Sequence, residues 1–209
     1  DKMTVEAPVR VAVIYYSATG NVHALARALC SGAESSGAQV RLRRVPETAS
    51  EESVKANVAW QEHQARDDLP ALVSLQDLEW ADGVAIGSPT RFGGPASQLK
   101  SFLDQTGRMW MRGDLMDKVG TSFTSASTHH GGLESSILAM NNVFYHWGCL
   151  ILPLGYPDRE TRRGNGNPYG ASFVSRSGAA PDPDSLKAAL VQGRRLARAA
   201  EALVRNRTG

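Results

Sequence analysis

The chain has few cysteines and no long apolar run. Its 209 residues include only two cysteines, Cys30 and Cys149, and both lie in apolar segments. Buried free thiols are typical of a reducing compartment rather than of a disulfide-stapled secreted protein. No stretch approaches the roughly 18 apolar residues of a transmembrane helix, and no secretory leader is recognisable before the first apolar strand. We therefore expect a cytoplasmic protein with no membrane partner.

A strong excess of charge of either sign is also missing. The chain has 23 Lys and Arg residues against 21 Asp and Glu residues, which gives a formal net charge of +2. No stripe of basic and aromatic residues occurs, so a dedicated nucleic-acid partner is not expected. The arginines near the C-terminus lie largely off the apolar stripe of the last predicted helix, which is typical of a solvated face.

The segment from residue 9 to residue 29 carries the strongest functional signal. The apolar run Val9–Tyr16 predicts a buried parallel strand, and it ends in the polar turn 17–21. Apolar residues at helical spacing follow over Val22–Ser35, so the turn opens a helix. Free N–H groups at that helix start, with the hydroxyls of the turn, predict a phosphate pocket without Lys or Arg. The simpler alternative is that Thr19 or Asn21 only caps the helix.

Two common nucleotide-binding signatures are absent. The chain contains neither the Gly-x-x-x-x-Gly-Lys-Ser/Thr pattern nor a Gly-x-Gly-x-x-Gly fingerprint after a strand. Both absences favour a mononucleotide over ATP or over a dinucleotide bound in the Rossmann manner.

Apolar strands alternate with helices along the whole chain. Strands are predicted at Val9–Tyr16, Gln39–Val45, Gly83–Gly87, Val119–Ser125 and Cys149–Leu152. Helices are predicted at Val22–Ser35, Pro95–Gln105, Leu133–His146 and Pro183–Arg205. This alternation predicts an α/β fold, a doubly wound five-stranded parallel sheet of order 2-1-3-4-5 with helices on both faces.

The domain organisation is simple. We predict one domain over residues 9–209 behind an N-terminal tail of residues 1–8. Two inserted segments, Pro46–Pro70 and Leu154–Pro183, lack sustained periodicity, although the first has room for a short helix around Glu51–Gln64. Loops of this length in a compact domain are usually functional or form an interface.

The loops after strands one, three and four should meet at the carboxyl end of the sheet. The loop after the third strand carries a hydroxyl, a cation and a ring at Thr90, Arg91 and Phe92. The loop after the fourth strand, residues 125–132, is small and polar. A phosphate pocket beside a flat, hydrogen-bonding slot suits flavin mononucleotide (FMN).

Several longer motifs carry a family resemblance. They are Pro-Thr-Arg-Phe-Gly at 89–93, Phe-Leu-Asp-Gln-Thr-Gly at 102–107, Leu-Pro-Leu-Gly-Tyr at 152–156 and Asn-Pro-Tyr-Gly-Ala at 167–171. With the first turn, they resemble the WrbA family of flavodoxin-like NAD(P)H:quinone oxidoreductases from about residue 9 to the C-terminus. The resemblance implies bound FMN, a homotetramer, NAD(P)H and a quinone as substrates, and two-electron reduction to the hydroquinone by a ping-pong mechanism.

The resemblance also implies roles for individual residues. The FMN contacts it implies are Ser17, Ala18, Thr19, Gly20, Asn21, Val22, Pro89, Thr90, Arg91, Phe92, Gly93, Ser125, Ala126, Ser127, Thr128, His129, His130 and His146. It implies catalytic roles for His146 and Arg91, and substrate contacts for Trp110 and Thr19. The turn departs from the family at Thr19, where the family commonly has a tyrosine linked to nicotinamide binding.

For three of these residues, a purely structural role stays open as the alternative. Arg91 could form a salt bridge to a neighbouring helix, His146 could be a core histidine, and Trp110 could belong to the core or to an interface. The adjacent His129 and His130 make a poor chelating pair with no carboxylate nearby in sequence, so no metal site is expected.

Two other classes of function compete with a quinone oxidoreductase. A flavodoxin-type electron carrier passes single electrons to protein partners, but such carriers are typically strongly acidic and this chain is nearly neutral. A regulatory or scaffolding protein that binds FMN structurally would show flavin absorbance without turnover.

Overall fold

The computed structural model describes residues 7–207, so residues 1–6 of the predicted tail lie outside the described residues. The strands are β1 (Arg10–Tyr15), β2 (Gln39–Arg44), β3 (Gly83–Arg91), β4 (Gly94–Pro95), β5 (Val119–Ala126), β6 (Leu150–Ile151) and β7 (Ser172–Val174). The helices are α1 (Asn21–Glu34), α2 (Glu51–Lys55), α3 (Val58–Gln64), α4 (Leu75–Trp80), α5 (Ser97–Leu103), α6 (Gly107–Arg112), α7 (Leu133–Trp147), α8 (Arg159–Gly164) and α9 (Pro183–Arg207). Short 3-10 turns span Asp104–Thr106 and Arg176–Gly178.

The central sheet is parallel and has the predicted order. Its neighbours run β2-β1-β3-β5-β6. Because β4 is a hairpin partner of β3 and not a central strand, this order is the predicted 2-1-3-4-5. The flavodoxin-like α/β class is thereby confirmed, with β2 at one edge of the sheet.

The predicted count of five strands is wrong by two, because β4 and β7 join the sheet. Strand β6 pairs only with Val119 and Gly120, at the amino end of β5. Pro153 has no N–H to continue the ladder, and β7 then pairs with the carboxyl end of β5, from Thr124 to Ala126. The inserted segment 154–183 therefore leaves the edge of the sheet and returns to it. Its expected irregularity is wrong at α8 and β7.

Other predicted boundaries shift as well, most by one or two residues, and three of the changes have a physical reason. Strand β3 runs to Arg91 and not to Gly87, because it stays paired with β5 as far as Pro89 and then folds back on β4. The predicted helix Pro95–Gln105 begins at Ser97. The helix predicted around Glu51–Gln64 is split into α2 and α3, and the side chain of Asn57 caps α3 by accepting the Trp60 N–H at 3.1 Å.

The sheet separates two apolar cores. On one face, β1 packs through Tyr15 against α1 and α9, which cross so closely that a Cβ on Gly193 would lie 1.9 Å from the carbonyl oxygen of Leu29. On the other face, Tyr16 belongs to the core built with α5 and α7. Both cysteines are free thiols. Within residues 7–207, no helix has the length and apolar character needed to cross a membrane.

Candidate active site

The loops after β1, β3 and β5 meet at the carboxyl end of the sheet, as predicted, and enclose a cavity of about 200 Å³. Its lining residues are Ser17, Ala18, Thr19, Asn21, Val22, Pro89, Thr90, Arg91, Ser125, Ala126, Ser127 and Ser175. Each of these residues except Ser175 belongs to the set that the sequence predicted. Small-molecule sites usually measure about 300–1,000 Å³, so this cavity suits the narrow end of a ligand whose remainder lies on the open side.

The start of α1 is arranged to receive an anion. Gly20 precedes the helix with φ of 103° and provides no side-chain cap. Its N–H donates to the buried Ser17 hydroxyl at 3.0 Å. Among the described residues, none accepts a hydrogen bond from the N–H groups of Asn21, Val22 or His23. The first turn of α1 contains no acidic residue, so the positive end of the helix dipole is left uncompensated.

The loops after β3 and β5 are locked together beside the cavity. The Thr90 hydroxyl donates to the carbonyl oxygen of Gly131 at 3.0 Å and accepts from the Gly93 N–H at 3.2 Å. The Ser136 hydroxyl, on α7, donates to Thr90 Oγ1 at 2.8 Å. A Cβ on Gly132 would lie 2.7 Å from the Cα of Gly93. The two loops therefore form one rigid wall.

A strained hairpin projects from this wall. Phe92 and Gly93 are the two residues between β3 and β4, and both have positive φ, 51° and 81°. Two-residue hairpin turns of this kind usually carry Asn-Gly, because most side chains pay about 1–2 kcal/mol in the left-handed region. The Phe92 ring is nevertheless fully exposed at the tip. Strain of this sort concentrates at functional sites.

Arg91 lies at the open side of the cavity. Its side chain is exposed, and its Nη1 donates to the Thr90 carbonyl at 2.9 Å. No carboxylate in the described part of the chain pairs with it. This speaks against the alternative that Arg91 only forms a salt bridge to a neighbouring helix.

The middle part of the loop after β5 is polar and exposed to solvent. Thr128, His129 and His130 are exposed, and none of them lines the cavity. His129 Nε2 contacts the guanidinium Nη2 of Arg176. Both of these residues line a neighbouring cavity of about 530 Å³. In the described residues, no group of three metal-ligating side chains comes together.

The structure does not bring His146 or Trp110 to this cavity. His146 is near the end of α7, about 20 Å along the helix from Leu133 at 1.5 Å per residue. The neighbouring Gly148 carbonyl accepts from Asp117, which precedes β5, so His146 lies at the amino end of the sheet. Trp110 is at the same end, because Trp147 bonds Thr106 just before α6. Both side chains are exposed, so neither is a core residue.

Sequence reasoning missed a polar network behind the cavity. The Glu47 carboxylate accepts hydrogen bonds from the Tyr16 hydroxyl at 2.8 Å, Trp60 Nε1 at 2.9 Å and Gln98 Nε2 at 2.7 Å. Burial raises the pKa of Glu47, but the bonds from Gln98, the Ala49 N–H, Tyr16 and Trp60 outweigh burial and lower it overall. The network ties segment 46–64 to Tyr16, directly after β1, and to α5. No sequence pattern marked Glu47, which stands in an irregular segment.

Ser175 is the other missed lining residue. It follows β7, and its N–H donates to the Ala126 carbonyl at 2.8 Å. Strand β7 has three residues, too few for a period-two pattern to stand out in a segment rich in Gly and Pro.

Comparison with known proteins gives the family. Residues 9–157 match the NADPH-dependent FMN reductase family. An NAD(P)H dehydrogenase (quinone) from Geotalea daltonii is 40% identical over 202 residues, which cover 93% of this chain and 98% of that protein. Another, from Sinorhizobium fredii, is 39% identical over 201 residues with the same coverage. The chain therefore belongs to the NADPH-dependent FMN reductase family.

Solved structures agree on the fold. A flavodoxin, WrbA-like protein from Agrobacterium tumefaciens superposes with a TM-score of 0.66 at 23% identity, covering 93% of this chain and 98% of that one. An archaeal flavodoxin has a TM-score of 0.61 at 18% identity. Together with the family match and the relatives above, the resemblance to flavodoxin-like NAD(P)H:quinone oxidoreductases of the WrbA type is confirmed, and with it FMN as the cofactor. The uncapped start of α1 and the glycine contact between the two loops fit a phosphate and a flat ring.

Proposed function

We propose that this chain is an FMN-dependent NAD(P)H:quinone oxidoreductase. The observation that carries the proposal is the uncapped first turn of α1, next to the buried Ser17 hydroxyl and the locked loops after β3 and β5. Family membership supplies the reaction: NAD(P)H, a quinone and a proton give NAD(P)⁺ and the hydroquinone. Bound FMN would supply the hydride-accepting and hydride-donating ring, which no side chain can replace.

The protein's part in the reaction is positioning and charge. The N–H groups of Asn21 and Val22 and the Ser17 hydroxyl would hold the phosphate. The loop residues Thr90, Ser125 and Ser127 present hydroxyl and main-chain groups for the polar edge of the ring system. Arg91, exposed and without an ion-pair partner in the described residues, would offset negative charge that develops on the reduced ring or on the quinone oxygen.

Phe92 and the exposed residues 127–130 of the loop after β5 would form the entrance for substrates. The ring at the hairpin tip is free to wall a planar acceptor. Thr19 is exposed beside the cavity, so its predicted contact with the nicotinamide has room. His129 and His130 are exposed on the loop after β5.

The predicted roles of His146 and Trp110 require a second copy of the chain. Both residues are at the amino end of the sheet, so one protomer cannot bring them to its own cavity. Large apolar side chains are exposed at that end, among them Trp110, Met111, Met116, Tyr145 and Leu150. We propose that they take part in contacts of the homotetramer, in which His146 and Trp110 meet a neighbouring protomer's cavity. A cytoplasmic location remains part of the same proposal.

The proposal is tested by anaerobic turnover of the FMN-loaded chain. NADH or NADPH should bleach the flavin absorbance promptly, and benzoquinone should restore it without any added reductase. Initial rates at several fixed quinone concentrations should give parallel double-reciprocal lines, the signature of a ping-pong mechanism. Flavin that stays oxidised with both nicotinamides would contradict the proposal and favour a structural role for FMN. Turnover that needs an added reductase would favour an electron carrier.

A further inference from the structure

A buried imidazole lies directly behind the turn that opens α1. His63, in α3, is only 6% exposed. Its Nδ1 lies 3.3 Å from the position that a Cβ on Gly20 would occupy. The next residue, Gln64, donates from Nε2 to the Ser17 carbonyl at 3.3 Å. Within the described part of the chain, neither ring nitrogen of His63 has a hydrogen-bond partner.

A second buried imidazole packs against the first. His23, in the first turn of α1, has its ring centroid 5.5 Å from that of His63. The Tyr15 hydroxyl contacts its Nδ1 at 2.5 Å, while its Nε2 is buried and finds no partner among the described residues. Buried polar atoms are nearly always hydrogen-bonded. In the described residues, the buried Nε2 of His23 and both ring nitrogens of His63 lack a hydrogen-bond partner, so they point to a group that is bound at the start of α1.

The charges around this pair set its protonation. Burial lowers the pKa of His63, Arg66 and Arg44 lower it further, and Asp68 raises it. Burial lowers the pKa of His23 to about 4, with smaller contributions from His63, Arg66 and Arg27. Arg66 and Asp68 pair with each other at 2.7 Å on the surface. Both imidazoles are therefore neutral at pH 7 in the absence of an anion.

We propose that His63 is a positioning residue for the phosphate of FMN, and that the His63–His23 pair takes up one proton when the phosphate binds at the start of α1. The inference rests on the proposed function, which supplies the phosphate. The turn has no Lys or Arg to balance a dianion, and an opposite charge close by favours the protonated imidazole. Only one proton is expected, because the two rings are too close for both to be charged.

Calorimetry counts this proton. The full chain, stripped of flavin, is titrated at pH 7 with FMN in two buffers of different ionisation enthalpy. A phosphate monoester has a second pKa near 6, so binding it as the dianion releases at most about 0.1 proton at pH 7. We expect the opposite sign with FMN, an uptake of about 0.3 proton or more. Riboflavin, which lacks the phosphate, should bind without proton uptake.

Two variants assign the proton. His63→Gln keeps a polar side chain of similar size but cannot titrate, so it should bind FMN about 3- to 10-fold more weakly at pH 7 without proton uptake. Glu62→Gln, at an exposed position of the same helix, is the matched control and should behave as the unchanged chain. If His63→Gln does not fold, imidazole resonances of the unchanged chain can be followed from pH 5 to pH 8. Inorganic phosphate should then raise the pKa of one buried imidazole.

The outcomes separate the two proposals. FMN binding without proton uptake, or full uptake in His63→Gln, would overturn the role of His63 and leave the oxidoreductase standing. An unchanged imidazole pKa on phosphate addition would do the same. A chain that binds neither FMN nor riboflavin would overturn the proposed function itself.

Discussion

The two ends of the parallel sheet differ in how their side chains are held. At the carboxyl end, loop residues are locked by hydrogen bonds and glycine contacts, and the hydrogen-bond network around Glu47 and the buried imidazole of His63 support them from behind. At the amino end, Trp110, Met111 and Tyr145 stand exposed on short helices and helix termini. A cofactor site needs the first kind of order, whereas exposed apolar side chains are typical of contacts with another protein.

This difference separates two kinds of function in one chain. The carboxyl end is preorganised within a single protomer, so flavin binding should depend on residues inside that protomer. In the proposed homotetramer, the exposed apolar side chains at the amino end contact a second protomer, so their effect on catalysis should depend on assembly. Substitutions at the two ends should therefore change different quantities, flavin affinity at one end and oligomeric state at the other.

The largest effect is expected for Gly132→Ala. Its φ is 94°, and the new Cβ would lie 2.7 Å from the Cα of Gly93, so one of the two loops has to move. We expect a loss of about 2–4 kcal/mol in unfolding free energy and an FMN dissociation constant at least about tenfold higher. Urea denaturation and flavin fluorescence quenching measure the two quantities.

Gly37→Ala is the control for backbone strain alone. Gly37 has φ of 85°, but a Cβ there meets nothing within 4 Å. Gly37→Ala should lower the unfolding free energy by about 1–2 kcal/mol and leave the FMN affinity unchanged. Equal FMN affinities in the two variants would show that the contact between the loops does not shape the site.

An intermediate effect is expected for Glu47→Gln. The side-chain amide cannot accept all the bonds that the carboxylate accepts from Tyr16, Trp60 and Gln98, so we expect a loss of about 2–3 kcal/mol at pH 7. Because the pKa of Glu47 is lowered in the folded chain, the carboxylate stabilises the fold above its ordinary value of 4.5. That stabilisation is lost as the pH falls through the lowered pKa.

Denaturation curves at pH 7 and pH 3 check this sign. The difference in unfolding free energy between the unchanged chain and Glu47→Gln should be smaller at pH 3 than at pH 7. The exposed Glu51→Gln should change stability by less than about 0.5 kcal/mol at either pH. A Glu47→Gln variant as stable as Glu51→Gln would mean that the network does not support the site.

The smallest effect on flavin binding is expected for Trp110→Ala. The side chain is 51% exposed and far from the cavity, so FMN affinity should stay within about twofold and stability within about 1 kcal/mol. Light scattering should instead show a smaller assembly or a weaker one. Trp60→Ala removes a hydrogen bond to Glu47 at the carboxyl end of the sheet. It should weaken FMN binding and leave the assembly unchanged. Loss of FMN affinity in Trp110→Ala with unchanged assembly would contradict the separation of the two ends.

The parts that the sequence predicted are those with a strong local period. Strand β1, the turn 17–21 and helix α1 combine a buried apolar run with helical spacing, and the strand order follows from the alternation of elements. The lining of the cavity could be predicted because parallel strands end at one edge of the sheet. The strand ends were less accurate: β3 continues to Arg91 because of pairing with β5 and β4, which is a tertiary effect.

Contacts between segments far apart in the chain could not be predicted from the sequence alone. Glu47, His63 and Ser175 stand in segments without periodicity, and only folding brings them behind or beside the turn after β1. The placement of His146 at the cavity came from a resemblance between sequences. The direction of α7, which runs from the carboxyl end to the amino end of the sheet, puts that residue at the other end.

The central claim is that the main-chain N–H groups at the start of α1 hold the phosphate of FMN. The most direct test compares the dissociation constants of FMN and riboflavin for the full chain by quenching of flavin fluorescence. Charge-assisted bonds from several N–H groups and the Ser17 hydroxyl should make FMN bind about 100-fold more tightly or better. Equal affinities for the two flavins would contradict the account.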